Sequence, residues 1–162
     1  MAFTLHLKAF SEVLAAINGA VGHPEMGAFG SSTRQARIAG ELEDSIQKAL
    51  GGTGLMSYVQ FDHGAIMRKA TGRDKPQMIR LVIGNPLIMQ EMAKRVPDAG
   101  FDAPVPALVD ERSDGVHLSY DRMASFLPPC GNSDALAVAR NLDKKVEGLL
   151  LEAAALARSS AR

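Results

Sequence analysis

The 162-residue sequence contains a single cysteine, Cys130. One thiol excludes an intrachain disulfide and any metal site built from several thiolates. Net charge is missing as well, since 18 Lys and Arg balance 18 Asp and Glu. Without a basic surplus there is no electrostatic reason to expect nucleic acid or an anionic membrane as partner. The same neutrality gives little repulsion between copies and is compatible with self-association. Long apolar runs are absent too. The richest tract, Leu149 to Ala157, is interrupted by Glu152 and falls short of the roughly 20 residues that a membrane span needs. The opening Met-Ala-Phe-Thr-Leu-His-Leu-Lys has no basic segment followed by an apolar core, so no signal peptide is expected and the cytoplasm is the default location.

What is there describes an ordinary globular domain. Hydrophobic residues make up 46% and charged residues 22%. A chain of this length buries a sizeable core, and residues 1–162 form one domain with no internal repeat or linker. The stretch Met78 to Met89 organises it. An apolar run ends in Gly84-Asn85-Pro86, and helical spacing starts at once. Asn is a preferred N-cap, Pro suits the first helical position, and Gly permits close backbone approach, so this is a strand, a tight turn and a helix start. That helix should turn Ile88, Met89, Met92, Ala93 and Val96 inward and end before Pro97.

Around this centre the hydrophobic periods are legible. Phe3 to Leu7 alternates as a short strand, and Phe10, Val13, Leu14, Ile17 and Val21 fall at helical spacing. His23 to Ser32, rich in Gly, Pro and Ser, reads as a loop within a segment 22–40 that inserts between helices. A further helix carries Ile38, Leu42, Ile46 and Leu50 inward. Leu55 to Asp62 alternates as a strand, with Leu55, Val59 and Phe61 on one face. Val105 to Glu111 and Val116 to Tyr120 form a hairpin about Arg112-Ser113-Asp114-Gly115, and Pro106 suggests that the first of these strands starts at a sheet edge. After an irregular Leu127-Pro-Pro-Cys-Gly131, Asn132 or Ser133 caps a long helix. Its stripe is Ala139, Leu142, Val146, Leu149, Ala153 and Leu156, and the basic tail 158–162 should fray. The predicted class is α+β, a single curved, mainly antiparallel sheet of four or five strands backed by helices.

Three segments together resemble the domain-of-unknown-function 302 family: Phe61-Asp-His-Gly64, Ile83-Gly-Asn-Pro-Leu-Ile88 and Ala103-Pro-Val-Pro106. Gly115-Val-His-Leu-Ser-Tyr-Asp121 and Leu142-Asp-Lys-Lys-Val146 resemble its bacterial branch. The similarity covers residues 40–150 and is weakest over Gly22 to Gly40. It implies half of a TATA-binding-protein-like fold and a dimer. It implies no reaction, substrate or cofactor, so no catalytic residue transfers. Some relatives carry Cys before the Asn-Pro pair; Gly84 here excludes a thiol role at that point.

The candidate chemistry is sparse. His63 stands at a strand end beside Asp62, where an imidazole can work as acid or base near neutral pH. Glu111 is the other carboxylate that could partner it. His6, His23, His63 and His117 lack the i, i+4 or Cys-x-x-Cys spacing of a metal site, so none is predicted. The Gly84-Asn85 turn lacks the Lys-Ser/Thr of a P-loop and the three spaced glycines of a dinucleotide fingerprint, which leaves no cofactor to name. It is either a capped turn or a donor of one or two amides to an anionic group. Arg80, mid-strand among apolar residues, calls for a carboxylate such as Glu111 or Asp62, or else clamps a ligand. Tyr120 lines a pocket or caps the core. His117, Ser119 and Asp121 alternate on one strand face, and without Gly-x-Ser-x-Gly a hydrolase triad is not supported. Cys130 has no neighbouring base in sequence to activate it. The eight Met residues either line an adaptable pocket or fill the core.

Three functions fit. The first is a homodimeric small-molecule-binding domain with a cleft near Asp62-His63 and the Gly84-Asn85-Pro86 turn, rimmed by Arg80 and Tyr120. The second is an enzyme using His63 with Asp62 or Glu111, and the third a structural dimer joined through the C-terminal stripe.

Overall fold

The computed structural model describes residues 2–5, 10–127 and 131–159. Within them five strands form one antiparallel sheet: β1 (Ala2–Leu5), β2 (Met56–Asp62), β3 (Met78–Gly84), β4 (Val105–Arg112) and β5 (Gly115–Tyr120). Their order is β1-β5-β4-β3-β2, which places β1 and β2 at the edges. The predicted α+β class and single sheet are present. His6, Leu7, Cys130 and the tail beyond Ser159 lie outside the described residues.

Alternation divides the sheet into two faces. In β2 a bulge between Ser57 and Val59 interrupts it, so that Val59 and Phe61 lie on the face opposite the buried Leu55. This corrects the expectation that the three share one face. Leu81, Ile83, Val105, Ala107, Val109, Val116, Leu118 and Tyr120 are buried in one continuous core. Against them pack helices α1 (Phe10–Ala20), α5 (Pro86–Ala93), with the short α6 (Ala99–Asp102) beside it, and α7 (Ser133–Ser159). The register Phe61–Arg80–Leu108–Ser119 runs across β2, β3, β4 and β5 on the opposite face, where no residue belongs to that core.

Pro106 corrects one expectation. β4 is central, paired with β3 and β5. The proline is tolerated because the β5 ladder stops at Ala107–Tyr120, so at Pro106 that side has no partner to lose.

A second correction concerns the segment read as a loop. Residues Met26–Gln35 form helix α2, followed by α3 (Ala39–Ala49). The Glu25 carboxylate accepts from the Gly27 and Ala28 amides at 2.8 and 2.6 Å, capping the helix where Gly and Ser would otherwise weaken it. Those two amides hold the carboxyl below its usual range. The Ser32 and Thr33 hydroxyls donate to the Phe29 carbonyl, so the small polar residues bond to the helix instead of ending it. α3 is turned less fully inward than its pattern predicts. Ile46 alone is buried, Leu42 and Leu50 are partly covered, and Ile38 is 66% exposed.

Gly22 and Gly51 mark a close crossing of two backbone segments. A Cβ on Gly22 would lie 1.9 Å from the Ala49 carbonyl oxygen, and one on Gly51 would lie 2.4 Å from the Val21 carbonyl carbon. Gly22 also donates to the Leu55 carbonyl at 2.9 Å and accepts from the Ser57 amide at 2.8 Å, covering the first residues of the free β2 edge.

Asn132 caps α7 by accepting from the Ala135 amide at 2.9 Å. Along that helix Ala139, Leu142, Val146, Leu149 and Ala153 are buried, but Leu156 is exposed and Ala157 takes its place. The stripe is therefore used inside the chain, against α1, α5 and a short 3-10 helix at Met123–Ser125. This removes it as the joining surface of a structural dimer. Met56, Met92 and Met123 are fully buried, so half the question about the methionines resolves to core filling.

Candidate functional site

The Gly84-Asn85-Pro86 turn forms as predicted, and its polar groups are already engaged. The Asn85 side chain accepts from the Leu87 amide at 2.8 Å, capping α5, and donates to the Gly54 carbonyl at 2.9 Å. A Cβ on Gly84 would approach the Pro104 Cβ to 3.1 Å. The turn is a packed junction and lines none of the hollows at Arg80, at Lys75, at Arg122 or at Glu25.

It is also far from Asp62-His63. In the antiparallel register Met56 faces Gly84 and Asp62 faces Ile79. Six residues of extended chain separate the two ends, about 20 Å. A single cleft rimmed by both is thereby corrected: strands that neighbour in space place their sequence motifs at opposite ends of the sheet.

At the Asp62 end the chain turns directly into helix α4 (His63–Thr71), which sequence patterning missed. Asp62 is its N-cap, accepting from the Ala65 amide at 2.7 Å, and stands 3.6 Å from Arg68. Its carboxylate is spent on these two partners. The His63 ring stacks on Phe61, with centroids 6.0 Å apart and planes 7° from parallel. Glu111 accepts from Lys75 at 2.5 Å and from the Gln77 amide at 3.4 Å, and the Lys75 ammonium holds its carboxyl below the usual range. Among the described residues no carboxylate bonds the His63 ring. An acid/base pair built from His63 with Asp62 or Glu111 is not assembled.

Arg80 also departs from expectation. Its predicted partners, Glu111 and Asp62, pair with Lys75 and Arg68 instead. Among the described residues no carboxylate neutralises the guanidinium, which lies over the Phe61 ring with Cζ 5.8 Å from the centroid. Beside it is a hollow of about 230 Å³, floored by Pro106 and Leu108 and edged by Arg80, Ser119 and Asp121. Alternation turns the side chains of Ala107 and Tyr120 to the other face, so their backbone completes the floor. Sequence reasoning found Arg80 but missed Pro106, Leu108 and Phe61. Their signal was a second apolar row on the polar side of the strands.

Tyr120 resolves toward the core. Its hydroxyl donates to the buried Asp143 carboxylate at 2.5 Å, and that carboxylate also accepts from the Met123 and Ala124 amides at 2.8 and 3.1 Å. Burial first, and the hydrogen bond to the Asp143 carboxylate second, push the Tyr120 phenol well above its ordinary value. His117 is likewise committed, its Nε2 lying 2.8 Å from Asp114, so it does not form a triad with Ser119 and Asp121. Two further hollows lie in charged surroundings. One of about 680 Å³ is bounded by Arg73, Lys75 and Arg112, and another of about 310 Å³ by Arg122, Arg140 and Lys144. Among the described residues no three His, Cys, Asp or Glu side chains gather closely enough to hold a metal ion. No helix among them is long and apolar enough to cross a membrane.

Comparison with known proteins agrees with this architecture. The sequence model of a family described as Domain of unknown function DUF302 matches residues 31–153. Among solved structures, the crystal structure of an uncharacterized conserved protein DUF302 from Bacillus stearothermophilus superposes with a TM-score of 0.61. The superposition covers 92% of this chain and 94% of that one at 12% identity, a level that speaks for a shared fold alone. Comparison with curated proteins gives no match.

Proposed function

The chain belongs to the DUF302 family, and from that premise we propose that it is a cytoplasmic, homodimeric domain that binds a small molecule on the open face of its sheet. The observation that carries the proposal is Arg80, a guanidinium that no carboxylate among the described residues neutralises, poised beside an apolar-floored hollow. Binding sites typically combine such a floor with a few placed polar groups. The hollow is shallow, and a neighbouring surface can wall it. Phe61, 42% exposed, continues through the stacked His63 onto Ile66 and Met67, which lie three and four residues further along α4 on the same side. Ile66 is 71% exposed and extends this run into a contiguous apolar patch, the kind of surface that a partner covers. A second copy meeting this stripe would border the Arg80 hollow.

Native mass spectrometry of freshly purified protein tests both parts together. The expected spectrum shows a dimer carrying a small adduct that is lost on denaturation and absent from Arg80→Ala. A bare monomer, combined with no thermal shift across a panel of organic acids, overturns the proposal.

A further inference from the structure

Resting on the binding role just proposed for this hollow, we infer that its ligand is a monocarboxylate with a flat or short apolar body, about the size of one aromatic ring plus its carboxylate. Four features of the hollow specify that chemistry.

The first is charge. Among the described residues Arg80 is the one cation lining the hollow and Asp121 the one acid. A monoanion finds one guanidinium to neutralise it, and a further negative charge has no counterpart among those residues. The second is donor geometry. With the Phe61 ring beneath the guanidinium, the face is occupied and the in-plane N–H groups remain to meet an acceptor. Two parallel N–H donors match the two oxygens of a carboxylate. The Ser119 hydroxyl at the far edge supplies one more hydrogen-bonding group.

Third is the floor. Pro106 and Leu108 present hydrocarbon, and Pro has no amide hydrogen to offer, so a polar body would lose its water without replacement. Fourth is size. A cavity of about 150 Å³ accepts benzene, with its six carbons. Scaled to a hollow of about 230 Å³, that gives on the order of nine non-hydrogen atoms. Benzoate has this size and serves as the probe.

The experiment is an amide-resonance NMR titration of the full chain with benzoate, benzamide and phenyl phosphate. Benzoate should perturb the amides of residues 80, 107, 108 and 119–121 and bind about tenfold or more tighter than benzamide, reflecting one charge-assisted bidentate contact. Arg80→Gln should remove that preference, and Arg80→Lys, which keeps the charge but not the fork, should restore part of it. Arg80 is exposed, so the variants are expected to fold, and matching circular dichroism melts establish this. Benzamide binding as tightly as benzoate, or phenyl phosphate binding tighter than either, overturns the monocarboxylate class while leaving the hollow a binding site. If none of the three perturbs these amides, the binding role itself fails.

Discussion

Tyr58 and Tyr120 are the only tyrosines in the chain, and both are held as neutral phenols. Burial pushes Tyr58 up to about 12, and burial with the Asp143 carboxylate pushes Tyr120 further from its ordinary value of 10.0. A group whose folded pKa is raised stabilises fully below its unfolded pKa, and that stability is lost as pH rises through the folded one. Here the folded state keeps protons that the unfolded chain releases above about pH 10. The urea midpoint should therefore hold up to about pH 10 and fall between there and about pH 12, with ultraviolet phenolate absorbance rising only as circular dichroism is lost. Phenolate appearing near pH 10 in a protein with native dichroism would contradict this account. Tyr120 at a strand end was visible in the sequence. Its bond to Asp143, 23 positions away, was not, because only packing α7 against the 3-10 helix brings the two together.

Glycines separate local preference from tertiary context at the scale of the element. In a helix interior Gly→Ala gains up to about 1 kcal/mol from propensity alone. Gly148 in α7 has nothing within 4 Å of an added Cβ, so Gly148→Ala should stabilise by about that amount. Gly64, one residue into α4, is the opposite case: its Cβ would lie 2.5 Å from the Met78 amide nitrogen and 3.0 Å from the Pro76 carbonyl oxygen. Backbone cannot yield as a side-chain tip does, and overpacking of this kind costs roughly 1–3 kcal/mol. Gly64→Ala should therefore destabilise by up to about 2 kcal/mol net, measured by denaturant unfolding beside Gly148→Ala. Equal stabilisation in both would mean α4 does not sit this close to β3. The helix itself escaped sequence reasoning because His63-Gly64 reads as a strand end and residues 63–71 bury almost nothing; Gly64 is their one buried residue. What sets α4 is the Asp62 cap and a C-cap at Gly72 with φ of 65°.

For the whole molecule, the uncovered face and the stripe along β2 and α4 raise the question of assembly. Ile66→Asp places a charge in the middle of the proposed contact, so light scattering at micromolar concentration should show a monomer where the parent chain is a dimer. Ile66 is largely exposed and outside the core cluster, so the melting temperature of the isolated subunit should barely move. A dimer that survives Ile66→Asp joins through some other surface. Charged residues in the middle of an interface are disfavoured because they lose water without a partner.

Sequence alone determined the α+β class, the strands β2 to β5, the capped start of α5 and the long α7. Each rests on a local signal: a period of two or of 3.6, or a capping side chain two or three residues from the amide it serves. Tertiary structure decided everything that depends on strand order and register. It separated Gly84-Asn85 from Asp62-His63 by the length of the sheet, gave Glu111 to Lys75 and Asp62 to Arg68, and left Arg80 facing an apolar-floored hollow. The physical reason is that antiparallel pairing reverses direction between neighbours. Residues that share a site therefore lie on different strands at positions fixed by register, and register is set by which face each strand buries.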